Sequence, residues 1–306
     1  MSDNDECGIP GEHVPVLAEE LAQRIRLATD GVIVDATVGH GGHSRLLGRA
    51  LGPAGTVLGL DVDQGCIARA RSNLSGLQCR VILVRANFAN AAEISSENHL
   101  GQVDLILADL GFCSGQIEDE RRGLSFQRAM PLDMRLDDRL RRTAADIVNQ
   151  ADETTLADLL YRYGEERAAR RIARMIVEHR RQRPIRTTTE LAGVVCRALG
   201  AAAGGRRQKI HPATRTFQAL RIAVNDELGN LDRLLNAAPG LLRPGGHVAV
   251  ISFHSLEDRI VKYDFRRRQA EGVYEIVTPR PIEADRAEIE RNPRARSAKL
   301  RIARRR

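Results

Sequence analysis

The chain has 306 residues, 42% hydrophobic and 28% charged, with a formal net charge of +7. That balance belongs to a soluble globular protein of about two domains and excludes a disordered chain. No apolar run approaches 18 residues, which excludes a membrane-spanning helix, and the basic sign suits a polyanionic partner.

Residues 1–12 read as a tail, acidic and polar at its start (Asp3, Asp5, Glu6) and so unlike a secretory leader. From Val14 to Ile25, Leu17, Leu21 and Ile25 recur at helical spacing. Four short apolar runs follow, 31–35, 56–61, 80–85 and 103–109, with helix-like stretches at 43–50 and 64–73. Runs this continuous predict a parallel sheet covered on both faces. The rhythm changes after residue 117. Residues 116–138 are polar and loop-like, and 144–200 show only helical periodicity, with helices expected at 152–163, 165–182 and 189–199. Thr187 and Glu190 have capping-box spacing. Gly204-Gly-Arg-Arg207 reads as a linker. His211-Pro212 then leads one long helix with Phe217, Leu220, Val224, Leu228, Leu231 and Leu235 on its apolar face. A turn at 243–246, a strand at 247–252, a capping signature at Ser255-x-x-Asp258 and a final strand at 297–303 close the chain. The expected organisation is an α/β domain of residues 1–117 and 211–306, with an all-helical domain, 118–210, inserted into it.

The chemistry concentrates at the ends of the apolar runs. Asp35-Ala-Thr-Val-Gly39-His-Gly41-Gly42-His43-Ser44 sits between a strand and a helix, where glycines let backbone approach a nucleotide-like ligand. Ser44 breaks the nicotinamide fingerprint. The spacing fits better the glycine loop of S-adenosylmethionine enzymes, with Thr37 at the first glycine position. Asp61 ends the next run, where a carboxylate accepts from ribose hydroxyls or simply faces solvent. Phe88 packs on an adenine face or in the core. Asp109 ends the fourth run, so Asp35, Asp61 and Asp109 are expected in one crevice. Competing chemistries lack their residues. There is no GxSxG and no Walker lysine, the only lysines being Lys209, Lys262 and Lys299. His40 and His43 have no third ligand nearby, so no metal is expected. Five cysteines (Cys7, Cys66, Cys79, Cys113, Cys196) without CxxC spacing argue against structural zinc or a disulfide framework and for a reducing cytoplasm.

With these residues in place, nearly the whole chain resembles the ribosomal RNA small-subunit methyltransferase H family. The resemblance is carried by Gly39-His-Gly-Gly-His-Ser44, Arg122-Gly-Leu-Ser-Phe126 with Pro131-Leu-Asp-Met-Arg135, Tyr163-Gly-Glu-Glu-Arg167, His211-Pro-Ala-Thr-Arg-Thr-Phe-Gln-Ala219 and Ile251-Ser-Phe-His-Ser-Leu-Glu-Asp-Arg259. It implies a Rossmann-like S-adenosylmethionine methyltransferase sheet and methylation of the N4 amine of a cytidine in the decoding region of small-subunit ribosomal RNA. The partner is that RNA or the assembled small subunit, with no membrane and no metal. The family's cofactor contacts fall on Gly41, Gly42, His43, Asp61, Phe88, Asp109 and Gln116. The family usually reads Asp-Leu-Gly-Val-Ser-Ser-Pro-Gln where this chain has Phe112, Cys113 and Gly115.

The implied reaction needs an acceptor for an amine proton and a platform for the base. Asp109, Phe112 and His254 are the candidates, with Phe112 either stacking on the base or lying in the core. Asp133 and Arg135 are further candidates. Arg215, Gln218, Arg221 and Asn225 lie on the polar side of their helix, where a solvated face is the plain alternative. The arginine clusters at 162–186 and 291–306 suit RNA phosphates. Two rival readings stay open: a cytosine C5-methyltransferase using Cys113, and a methyltransferase fold that only binds RNA.

Overall fold

In a computed structural model describing residues 15–113, 115–116, 119–200 and 211–306, the four apolar runs become β1 (Val32–Asp35), β2 (Thr56–Asp61), β3 (Arg80–Arg85) and β4 (Val103–Asp109). The N-terminal tail, Val14, Ser114, the Gly204–Arg207 linker and the expected boundary positions 117, 118 and 210 lie outside the described residues. The sheet has eight strands in the order β3-β2-β1-β4-β5-β8-β6, with β7 (Ile282–Glu283) also on β8. β1 to β5 (Leu242–Ser252) are parallel, and β8 (Lys299–Arg305) is antiparallel to β5, to β6 (Tyr274–Ile276) and to β7. Ile33 and Val34 point to opposite faces, yet both are fully buried, as are Val57 and Leu58, and Leu105 and Ile106. Burial on both faces is why these strands show no polar alternation.

This α/β architecture with an additional helical part is the fold class read from the sequence. The chain divides into two compact units, residues 1–111 with 233–306, and residues 112–232. In the first, α1 (Ala18–Arg24), α2 (Gly42–Gly48), α3 (Gln64–Asn73), α4 (Ala91–Glu97), α11 (Ser255–Ala270) and α12 (Arg286–Arg291) accompany the sheet. The second holds α5 (Ala144–Gln150), α6 (Glu153–Gly164), α7 (Ala169–Gln182), α8 (Thr188–Leu199) and α9 (Thr214–Asn225). Its core joins Ile147, Leu156, Leu160, Ile172, Ile176, Leu191, Val195, Phe217 and Leu220. Its only β pairing among the described residues is one bridge, Pro131 with Thr187.

Several boundaries differ from the sequence reading. The return to the α/β unit comes at 233 rather than 211, because α9 buries Phe217 and Leu220 in the helical core. The single long helix is two: α9 ends where Asp226 turns left-handed at φ 49°, and α10 (Glu227–Leu241) starts after it. The turn at 243–246 is a bulge inside β5, since the register with β4 jumps from Val103–Leu242 to Leu105–His247. The helix-start signature at Ser255 shifts by one: His254 is the N-cap of α11 and pairs with Glu257 in a capping box. The Thr187–Glu190 box forms as expected.

The motifs of the helical unit are explained by one another. Gly123 has φ +60°, and a β-carbon there would lie 2.0 Å from the Pro131 carbonyl oxygen. Arg122 Nη1 donates to the carbonyls of Arg135 and Leu136 at 3.2 and 2.6 Å. The 122–126 and 131–135 motifs are thus two halves of one clasp. Gln218 Nε2 donates to the Tyr163 carbonyl and Arg215 Nη1 to the Glu165 carbonyl, each at 3.1 Å, at the end of α6 where Glu165 turns left-handed. A β-carbon on Gly164 would meet the Arg215 carbonyl oxygen at 2.6 Å.

That contact sets an expectation for Gly164→Ala. Helix propensity alone would stabilise by about 1 kcal/mol. Overpacking against backbone should reverse the sign and lower the unfolding free energy by about 1–3 kcal/mol in urea titrations. A neutral or stabilising result would remove the close approach.

Candidate active site

The site of the α/β unit is built by one loop. After β1 the chain stays fastened to both neighbouring strands: the Ala36 amide donates to the Leu107 carbonyl and the Val38 amide to the Leu60 carbonyl, both at 2.8 Å. Val38 so overlies β2 that a β-carbon on Gly59 would come within 2.9 Å of its side chain. The loop then turns left-handed at Gly39 (φ 51°) and Gly41 (φ 85°) and enters α2 at Gly42.

Each strand-end carboxylate meets this loop. Asp35, 2% exposed, accepts from Ser44 Oγ at 2.6 Å and from the Thr37 amide at 3.2 Å. Burial pushes its carboxyl above the ordinary range, partly countered by the Ser44 hydroxyl and by His43. Asp61 accepts the Gly39 amide at 3.0 Å and the Asp63 amide at 2.8 Å, one on each oxygen. Burial raises it to about 6 against those two bonds. The amide of Asp109 donates to Thr37 Oγ1 at 2.7 Å, and the Asp109 carboxylate accepts the Gly111 amide at 3.0 Å. His43 lies in the first turn of α2, its Nε2 3.4 Å from Asp109 Oδ2. That is ion-pair range for a protonated ring, but without hydrogen-bond alignment: both ring nitrogens are buried and lack a hydrogen-bond partner. Phe88 is half-buried in a short 3-10 turn after β3, held by Asn87 Oδ1 accepting the Ala89 amide at 2.9 Å.

Asp35, Gly41, Gly42, His43, Asp61, Phe88 and Asp109 therefore lie in loops and strand ends of one unit. They fit an adenosyl donor on two grounds. The carboxylate of Asp61 keeps acceptor capacity beyond its two backbone bonds, and His43 offers buried, unbonded nitrogens. Sequence reading missed the two hydroxyls that organise this set, Thr37 and Ser44. By sequence both are departures from a glycine pattern, and a hydroxyl beside strand-end carboxylates is the signal that marks them.

Phe112, Cys113 and Gln116 belong to the helical unit. Gln116 is buried, its Oε1 accepting the Cys113 amide at 3.2 Å. The Phe112 ring carries the Arg221 guanidinium 4.4 Å from its centroid, and Glu227 holds that guanidinium by two bonds of 2.8 and 2.9 Å. The polar side of α9 is bonded to neighbouring backbone rather than simply solvated, although Arg215 stays exposed. Arg215 and Gln218 bind α6, and Asn225 receives the Leu136 amide and donates to the Met134 carbonyl, both at 2.8 Å. Asp133 and Arg135 pair with each other, and Arg135 also donates to the Leu140 carbonyl at 2.7 Å. His254 is engaged in its helix cap: Nδ1 accepts the Glu257 amide at 3.4 Å, and Nε2 lies 3.1 Å from Glu257 Oε1.

A family model described as the MraW methylase family matches residues 11–306. Ribosomal RNA small subunit methyltransferase H of Acidobacterium capsulatum is 48% identical over 298 residues, covering 95% of this chain and 97% of that protein. The protein of the same name from Cyanothece sp. is 50% identical over 293 residues, covering 96% and 94%.

Two expectations follow for Asp61. Replacing it with alanine removes a charged acceptor worth about 1.5–3 kcal/mol, so titration calorimetry with S-adenosylhomocysteine should show affinity falling tenfold to a hundredfold. Unchanged affinity would take Asp61 out of the site. The second concerns pH. The folded carboxyl titrates near 6, above the unfolded value of about 4. Between these values the folded chain binds the extra proton, so this group makes stability fall as pH rises from about 4 to 6. Asp61→Ala should flatten that slope in denaturation series, and an unaltered slope would contradict the raised pKa.

Proposed function

This chain belongs to the MraW methylase family, and from that premise we propose that it methylates the N4 amine of a cytidine in the decoding region of bacterial small-subunit ribosomal RNA. S-adenosylmethionine supplies an already activated methyl group, so the protein's work is to bind and orient both partners. The observation that carries the reading is the strand-end set: Asp61 beside Gly39, and Asp109 beside Thr37 and His43. The RNA substrate is supported by the relatives' printed names. A ribosomal RNA substrate also places the protein in the cytoplasm, and among the described residues no helix is long and apolar enough to cross a membrane.

Cytosine's exocyclic amine is a weak nucleophile because its lone pair is delocalised into the ring. A carboxylate accepting one N–H localises that pair and receives the proton as the N–C bond forms. Asp109 takes this role, with one carboxylate oxygen bonded to the Gly111 amide and the other facing His43. Phe112 follows three residues later in the chain. Arg221 holds its ring within the helical unit. His254 caps the start of α11 through Nδ1, while its buried Nε2 lies 3.1 Å from Glu257 without a hydrogen-bond partner. His43 contacts the donor from within the α/β unit.

C5 methylation would need a thiolate to attack the ring at C6 before the methyl group is accepted. Cys113 is half-buried and outside any disulfide, one residue farther from its aspartate than the Asp-x-Pro-Cys spacing of C5 enzymes and without the proline. Nucleoside mass analysis of small-subunit RNA from cells with and without this gene should show N4-methylcytidine only in its presence. Cys113→Ser should keep activity within about tenfold of the parent. Recovery of 5-methylcytidine, or lost turnover with donor binding intact, would favour the C5 route.

A further inference from the structure

The helical unit carries a dense basic stretch centred on one helix. Between Tyr161 and Arg186 there are nine arginines against three glutamates, in a chain whose total net charge is +7. The stretch is centred on α7, which buries Ala169, Ile172, Ala173 and Ile176. At 3.6 residues per turn, Arg170, Arg174 and Arg181 lie within about 40° of one another on the opposite side, and Arg171 and Glu178 complete an arc of about 100°. All five are exposed. The arc runs about 16 Å along the helix and contains no apolar side chain.

Several exposed arginines elsewhere in this molecule are neutralised by nearby acids, while others, Arg26, Arg49, Arg69 and Arg71 among them, have no ion-pair partner among the described residues. Arg24 pairs with Glu20, Arg121 with Asp119, Arg139 with Asp137, Arg267 with Asp264 and Arg286 with Glu290. On α7, Arg170, Arg171 and Arg181 have no ion-pair or hydrogen-bond partner among the described residues, and Arg174 reaches Glu153 only at 3.9 Å. Arg170 and Arg174 stand four apart and Arg171 and Arg174 three apart, spacings at which like charges repel. A helix face that met only water would be more stable with alternating signs.

We propose that the exposed arc of α7, Arg170, Arg171, Arg174 and Arg181, is a docking surface for RNA phosphates, separate from the residues that hold donor and base. It rests on the RNA substrate of the proposed function. A row of guanidiniums without apolar neighbours suits a phosphodiester backbone, whose binding releases counterions, better than a lipid surface.

The test is fluorescence anisotropy of the full chain with a labelled small-subunit RNA fragment across a salt series. Arg170→Gln/Arg171→Gln/Arg174→Gln should lose at least tenfold in affinity at low salt. Its log–log salt slope should shrink by about two, at about 0.7 per phosphate contact on single strands. The corresponding triple lysine variant should recover to within about threefold. A control with Arg121, Arg139 and Arg286 changed to glutamine should stay within twofold, and S-adenosylhomocysteine affinity should be unchanged in all of them. RNA affinity and slope unmoved in the α7 variant, an equal fall in the control, or displacement of the RNA by polyglutamate as readily as by unlabelled RNA would overturn the assignment. Parent protein that binds the RNA through α7 but yields no N4-methylcytidine would instead sink the reaction and leave the surface standing.

Discussion

Three carboxylates end three adjacent parallel strands, and a buried carboxylate must find hydrogen-bond donors or give up its charge. The loop after β1, with the helix it opens, meets that demand for Asp35 and Asp61, while the Asp109 carboxylate takes the Gly111 amide. Ser44 and the Thr37 amide serve Asp35, the Gly39 amide serves Asp61, and Thr37 Oγ1 takes the amide of Asp109 itself. A loop committed in this way cannot drift, and its position fixes both turns of the glycine run and the first turn of α2. The supply is incomplete, since Asp35 and Asp61 are both left with raised pKa values. The two nitrogens of His43 stay unbonded. Sites held together but left partly unsatisfied are where a ligand gains most from entering.

The helical unit obeys a related rule with backbone carbonyls in place of carboxylates. The end of α6 leaves carbonyls that its own helix cannot use, and Gln218 and Arg215 of α9 take those of Tyr163 and Glu165. Arg122 and Asn225 do the same for the loop at 134–136. Gly123 and Gly164 are needed where backbones approach too closely for a side chain. Polar residues that look solvent-facing by periodicity are thereby drawn into the fold.

The strands were legible because burial on both faces leaves unbroken apolar runs in β2 and β4, and β2, β4 and the half-buried edge strand β3 begin and end where the runs do. The carboxylates were legible because parallel strands end at their ligands. What periodicity cannot report is a single residue's dihedral angle, so Asp226 breaks a helix whose apolar stripe continues unchanged on either side. It also cannot report partners distant in the chain. The polar face of α9 reads as solvated because the carbonyls it serves belong to residues 50 or more positions away. β6 and β7 are too short, at three and two residues, to carry a pattern. The short helices α4 and α12 likewise lack a full apolar stripe. His254 drew attention as a histidine at a strand end. It also caps the helix that follows, a role that strand-end position alone does not announce.

The central claim is that the loop-fastened carboxylate of Asp61 holds the donor through its ribose hydroxyls. A double-mutant cycle addresses that contact alone: the parent and Asp61→Ala are each titrated with S-adenosylhomocysteine and with its 2′,3′-dideoxy analogue. The account predicts that removing the hydroxyls costs the parent far more than the variant, with a coupling of about 1 kcal/mol or more. Losses that simply add would mean that Asp61 and the ribose do not meet, and would contradict it.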